Sequence, residues 1–187
     1  FESALIAARV RANVGEPAAA VQWLQRLLDE PRSQAAPACV AEAWVMLAGM
    51  QASLGDGESA ARAIAHASEC LGEVTLDVDR RQRAYNGLSL TYYQLGFTPH
   101  AVRMLRESVA LAPPEPGDGA GLLRRLNLSM MLMEMHDGAA YLPEGVESVS
   151  WLDQAQLQLD EVELQKATLS PWQRLVHDTL QAGARRR

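Results

Sequence analysis

A spaced pattern recurs along this chain, and it restricts the fold more than any other feature. An aromatic or small residue opens each copy, a Leu-small pair follows three positions on, then a glycine turn and an alanine five residues beyond it. One copy reads Trp44, Leu47-Ala48, Gly55, Ala60 and Ala67, and the next reads Tyr85, Leu88-Ser89, Gly96, Ala101 and Ser108, followed by Pro113. Starts at Phe1, Ala41, Gln82 and Leu122 give spacings of 40, 41 and 40 residues. Self-similarity at such a period implies stacked helical hairpins, each too small to bury its apolar face alone.

The fifteenth position of each copy is Gly15, Gly55, Gly96 and His136, followed by Glu16-Pro17, Asp56-Gly57, Phe97-Thr98-Pro99 and Asp137-Gly138. Glycine accepts the left-handed backbone that ends a helix, and proline just after is suited to a first helical turn. A tight helix-to-helix turn is therefore expected at each site. Apolar stripes precede the turns, at Trp44, Leu47, Met50, Gln51 and Leu54 and at Tyr85, Leu88, Tyr92 and Leu95. Ala60, Ile64 and Ala67 follow one turn, and Ala101, Leu105 and Ser108 the next. Small residues at the eighth position (Ala8, Ala48, Ser89, Ser129) and at the twentieth (Ala20, Ala60, Ala101) allow the paired helices close approach.

These residues resemble the tetratricopeptide repeat (TPR) family, whose two helices carry W-x2-L-G-x2-Y, then A-x3-F, then A and P. The match is densest over residues 41–113 and weaker in the first copy, which has Ala4 and Ala7 where the family has large residues. The resemblance implies an all-α fold, a right-handed α-solenoid or superhelix of antiparallel helix pairs over residues 1–187 as one domain. The period exceeds the family's usual 34 residues, and the spacers Leu71–Asp79 and Ala112–Gly121 are expected to account for the difference. Stretched repeats of this kind are similar to those of bacterial signalling proteins, where TPR arrays precede a diguanylate cyclase or a transcription-regulator output domain. Tyr141, Pro143 and Gly145 interrupt the fourth copy and predict a loop. Helical spacing resumes at Leu152, Ala155, Leu159 and Val162, and Ser170-Pro171 reads as the N-cap and first turn of a last helix through Leu180. Residues 147–183 are expected to be capping helices.

Composition narrows the function. A net charge of -6 leaves no basic surplus for phosphates, so nucleic acid is an unexpected partner. No apolar stretch is long enough for a membrane span, and no signal peptide precedes the repeats, which points to a cytoplasmic chain with no membrane insertion. Phe1 in place of Met, and a helical end running into Arg185, Arg186 and Arg187, suggest a piece of a longer polypeptide. Lys166 is the only lysine among the 17 basic residues, a bias that together with abundant alanine suggests a GC-rich bacterial genome. Antiparallel helices bring Cys39 and Cys70 within range of a bridge, although reduced buried cysteine is the commoner state in such a chain.

Chemistry finds simpler readings. His66 and Cys70 have half the spacing of a metal site and no second pair to complete it. His100, His136 and His177 read as solvated or capping residues with no nucleophile beside them. Residues 87–90 lack the last glycine of a nucleophile elbow, and Gly117–Gly121 lacks the lysine of a phosphate loop. No catalytic residue, metal or cofactor is expected, and Asp153, Asp160, Glu161 and Glu163 read as a solvated face.

What remains is the inner trough that the resemblance implies, lined by first helices near the second, fifth, ninth and twelfth positions. These are Arg83, Asn86, Leu90 and Tyr93 in the third copy. In the fourth they are Leu123, Leu126, Met130 and Met133, with Arg124 and Asn127 one position off. Arg-x-x-Asn pairs suit a peptide's carboxylate and amides, and the crowded Met130, Met131, Met133 and Met135 suit either an adaptable surface or a core. Helix-surface polarity is the competing account of the Arg-Asn pairs. Glu42, Val45 and Gly49 depart from the carboxylate clamp of chaperone-binding members. The expected activity is non-catalytic protein or peptide binding in the regulatory or sensory region of a bacterial signalling protein. The alternatives are the N-terminal part of an enzyme such as a diguanylate cyclase, and a self-associating scaffold or homodimer using Leu152 to Val162.

Overall fold

A computed structural model describes residues 1–29, 36–111, 115, 118–138 and 149–186. Among these residues the regular elements are all helical: α1 Glu2–Asn13, α2 Pro17–Asp29, α3 Pro37–Ser53, α4 Gly57–Glu73, α5 Val78–Gln94, α6 Thr98–Ala110, α7 Gly119–Gly138, α8 Val149–Glu163 and α9 Pro171–Ala184, with a 3-10 turn at Lys166–Thr168. The chain divides into two compact units, Phe1–Phe97 and Thr98–Arg187. The spacer residues 112–114, 116 and 117, the loop expected around Tyr141, Pro143 and Gly145, and Arg187 lie outside the described residues.

The turns form for the reason the sequence gives. Gly15, Gly55 and Gly96 have φ of 90°, 80° and 80°, and no other described residue has positive φ. At each, the helix closes back on its own last carbonyls; Asp56 N–H, for example, donates to Gln51 O at 2.9 Å. A Cβ on Gly55 would meet nothing within 4 Å, so only backbone strain opposes a side chain there. Gly55→Ala is accordingly expected to destabilise the fold by about 1–2 kcal/mol, and Gly55→Asn by less. Urea unfolding of the two variants checks the order.

The fourth site behaves differently. His136 has no such freedom, and α7 continues through it to Gly138 in place of turning. The long period also has another origin than expected. Helices α3, α4 and α5 are each 17 residues long, and α4 runs through Leu71 to Glu73, leaving only residues 74–77 as connection. Asp77 then caps α5, its carboxylate accepting from Arg80 N–H at 2.8 Å. Helix extension, not a nine-residue spacer, lengthens this repeat.

Inside unit 1, α3 packs on α4, α5 and α2, and α1 packs on α2 and α3. Small residues stand where the chain needs them: Ala8, Ala20, Ala48, Ala60 and Ser89 are fully buried, as are Ala101 and Ser129 in unit 2. Gly87 shows how close this packing is, since a Cβ there would stand 2.6 Å from Val45 Cγ1. In unit 2, α7 packs on α6, α8 and α9. Ser129 donates to the Ala155 carbonyl at 3.1 Å, a contact only a short side chain permits.

Burial bears on two expectations for unit 2. In the Leu152–Val162 helix offered for self-association, Ala155, Leu159 and Val162 are fully buried, whereas Leu152 is half-buried and Leu157 exposed. His177, expected as a solvated or capping residue, is fully buried. Its Nε2 lies 3.3 Å from the Leu159 carbonyl, and its Nδ1 lies 3.2 Å from an Asp178 carboxylate oxygen. Lys166 closes the cluster at 2.9 Å from Asp178 and 3.2 Å from Glu163. Ser170 and Gln173 start α9 as a reciprocal capping box, with Pro171 as its first residue.

This cluster gives α9 a pH signature. Hydrogen bonding from Lys166, then from His177, holds the Asp178 carboxyl below its ordinary range, and Asp178 with Glu163 raises the Lys166 ammonium above its own. The Asp178 contribution is complete above about pH 3.9 and fades as pH falls through its lowered folded value. The Lys166 contribution is complete below about pH 10.4 and fades above it as pH rises through the raised value. Protection factors of the α9 amides, taken relative to the intrinsic exchange rate at each pH, are expected to hold level between these limits and to fall outside them, with Asp178→Asn abolishing the acid limb.

Candidate functional site

Three first helices, α1, α3 and α5, present one face each to a groove in unit 1 with a volume of about 640 Å³. Its floor is apolar, formed by Val45, Met46, Met50, Ala84 and Leu90, with Gly49 and Gly87 letting the backbones come near the surface. Leu90 is 38% exposed, a large apolar side chain left in water at the groove. Arg9 on α1 and Arg83 on α5 stand at the rim, and no ion pair among the described residues involves either. Ser53, Thr91 and Gln94 add hydroxyl and amide groups, although the Thr91 hydroxyl donates to its own helix at Gly87 O, 2.8 Å away.

Arg80 ties the three helices together. Its guanidinium lies 3.2 Å from Glu2 on α1, 3.7 Å from Glu42 on α3 and 3.5 Å from Asp77, and it donates to the Cys39 sulfur at 3.7 Å. The Cys39 sulfur foremost, then the Glu42 carboxylate, hold Arg80 above its ordinary pKa. The Glu42 charge is thereby partly spent on Arg80, which leaves the two rim arginines to set the sign of the groove. Cys39 and Cys70 are not joined by a disulfide.

The structure brings some expected residues together and separates others. Arg83 and Leu90 line the groove, as do Glu42, Val45 and Gly49. Asn86 and Tyr93 are half-buried and outside its lining; the Asn86 side-chain oxygen is enclosed with no hydrogen-bond partner. The reason is angular. The open face of α5 runs through Arg83, Gly87, Leu90 and Gln94, roughly 80° around the helix from the line through Asn86 and Tyr93. Sequence reasoning missed Arg9, Met46, Met50 and Thr91, of which Arg9 carried a signal as a cation at the ninth position of the first copy.

The remaining four lie on α7 in unit 2. Arg124 is drawn to Asp118 at 3.6 Å, ahead of its own helix, with its side chain 12% exposed. Asn127 and Met130 are half-buried. Met133 is 4% exposed and Met131 fully buried, with the Ser129 hydroxyl 4.0 Å from the Met133 sulfur, so these two thioethers fill the interior. His66 is an exposed ring stacked on Trp44 at 4.5 Å. No group of three or more His, Cys, Asp or Glu among the described residues is placed to hold a metal ion, and none of the described helices is long and apolar enough to cross a membrane.

No protein-family model matches the sequence, and no curated protein matches it. A solved structure does. The nearly identical TPR-like repeats of a putative kinesin light chain from Podosopora anserina superpose with a TM-score of 0.57, covering 100% of this chain and 97% of that one at 16% identity. At that identity the likeness speaks for architecture alone. The helix pairs, their glycine turns and this superposition agree: the chain has the TPR-like repeat fold.

Proposed function

We propose that unit 1 is a non-catalytic binding module that holds an extended peptide or a partner's surface segment in the α1-α3-α5 groove. The observation that carries this reading is an apolar floor open to water between two arginines with no ion pair among the described residues. An aliphatic side chain of the ligand covers Val45, Met46 and Leu90, and a carboxylate lies between Arg9 and Arg83 within reach of charge-assisted hydrogen bonds. A TPR-like repeat fold suggests protein interaction in general, and this groove supplies a particular face for it. The larger setting we propose is the regulatory or sensory region of a bacterial signalling protein. The 40-residue period and the near-absence of lysine support that setting.

Titration of isotope-labelled protein with short synthetic peptides, each pairing a leucine with an aspartate or glutamate, tests the site. Saturable amide shifts are expected at Met46, Gly49, Gly87 and Leu90, and they should weaken when the peptide acid is replaced by its amide. Shifts confined to other faces, or equal affinity for acid and amide forms, would remove the groove assignment.

A further inference from the structure

A second concavity in unit 1 has nothing to do with the groove. It lies between α2 and α4 over α3, has a volume of about 350 Å³, and is lined by Gln25, Asp29, Trp44, Gln51, Arg62 and His66 among others. Trp44 and Gln51 are seven residues apart on α3, which places them on one helix face. Gln51 is 6% exposed. Its side-chain oxygen and the Trp44 indole nitrogen are both enclosed, and neither has a hydrogen-bond partner among the described residues. An enclosed donor and an enclosed acceptor thus sit in the wall of one polar crevice. Each costs about 1–3 kcal/mol when unsatisfied, and a methionine or leucine at position 51 would have avoided half of that cost.

The ring that lies against Trp44 is itself open to solvent. The His66 ring stacks on Trp44 with an interplanar angle of 27°, yet its side chain is 51% exposed and its other approach is a 3.9 Å contact with Glu69. Rotation of that ring to another staggered position uncovers the Trp44 ring face within the crevice at the cost of a single exposed stacking contact. Arg62 is already engaged by Glu58 and by the Ser59 hydroxyl, and Asp29 adds negative charge at the wall.

We propose that this crevice is a binding site for an uncharged amide. The ligand's carbonyl accepts from the Trp44 indole N–H, and an amide N–H of the ligand donates to the Gln51 oxygen. A carboxylate offers Gln51 no donor and is opposed by Asp29, while an ammonium offers the indole no acceptor. The chemistry is shared by a free carboxamide, or an Asn or Gln side chain, and by a peptide backbone, which presents both groups on one edge.

The four tryptophan indole N–H signals of the full 187-residue chain provide the readout. Trp44 is assigned by Trp44→Phe, and acetamide and N-acetylglycine N-methylamide are the two probes, separating the carboxamide source from the backbone source. A saturable downfield shift of the Trp44 signal with a Kd of about 1 mM is expected for at least one probe, with Trp23, Trp151 and Trp172 unmoved. Gln51→Met, which keeps the volume and removes the unpaired oxygen, should hold or raise stability while abolishing the saturable shift. His66→Ala should keep binding and accelerate exchange. A linear response shared by all four indoles, or saturation that survives in Gln51→Met, overturns the proposal. So does a Trp44 signal that shows only contact with long-lived water and ignores both amides, which would make the crevice a hydration site. Groove variants at Arg9 and Arg83 leave this readout untouched, so the two sites stand or fall separately.

Discussion

Truncating Leu88 to alanine is expected to destabilise unit 1 by about 2–5 kcal/mol, against about 0.5 kcal/mol or less for Leu54→Ala. Both residues are leucines of the apolar stripes that precede a turn, Leu88 within α5 and Leu54 just after α3. Leu88 is 2% exposed and sits one residue before fully buried Ser89, whereas Leu54 is 47% exposed beside the Gly55 turn. The difference is the cavity left at Leu88, where α5 meets α3 so closely that Gly87 has no room for a methyl group. A domain's whole stability is about 5–15 kcal/mol, so the loss is large enough to read as a shift in urea midpoint with unchanged slope. The complementary change, Ala60→Leu, should cost about 1–3 kcal/mol through overpacking at a position with no exposed surface. Equal effects of Leu88→Ala and Leu54→Ala would contradict the packing described here.

Reversing the charge at Arg83 is expected to weaken binding of an acidic peptide by about 10–150-fold, the equivalent of losing one hydrogen bond to a charged group worth about 1.5–3 kcal/mol. Arg83 is exposed and unpaired among the described residues, so Arg83→Glu removes no internal contact and should leave the melting temperature within a degree or so of the parent. Salt should mimic the variant in part, because the rim is open to solvent. Asn86→Ala and Tyr93→Ala form the control that separates this site from the one the repeat register alone would choose. Both residues flank the groove without lining it, and affinity is expected to stay within about two-fold in each. Calorimetric titration of the three variants decides the matter: a larger loss in Tyr93→Ala than in Arg83→Glu would move the site around α5.

Much of the fold was legible because it depends on residues whose physics is local. Glycine at the fifteenth position takes a backbone that other residues resist, so Gly15, Gly55 and Gly96 announced their turns; a turn was expected at His136 too, and there α7 runs on. Ser170 followed by Pro171 marked the start of α9 in the same way. The candidate site was half legible. Periodicity put Arg83, Leu90, Asn86 and Tyr93 in one stripe of α5; Arg83 and Leu90 lie on the side of that stripe that lines the groove, and Asn86 and Tyr93 lie roughly 80° around the helix, outside the lining. On α7 the same pattern fits an inward and an outward face equally well, and burial assigned Met131 and Met133 to the interior.

By itself, then, the order of small and large side chains determined that this chain forms helix pairs and where most pairs turn back, since close approach and left-handed φ each admit few residue types. Which face of each helix stays open, that Ala155, Leu159 and Val162 are buried within unit 2, that His177 is enclosed, and that Trp44 and Gln51 share a crevice with His66 were decided by tertiary packing. A helix has several faces that a single sequence stripe can fit, and only the neighbouring helices select among them.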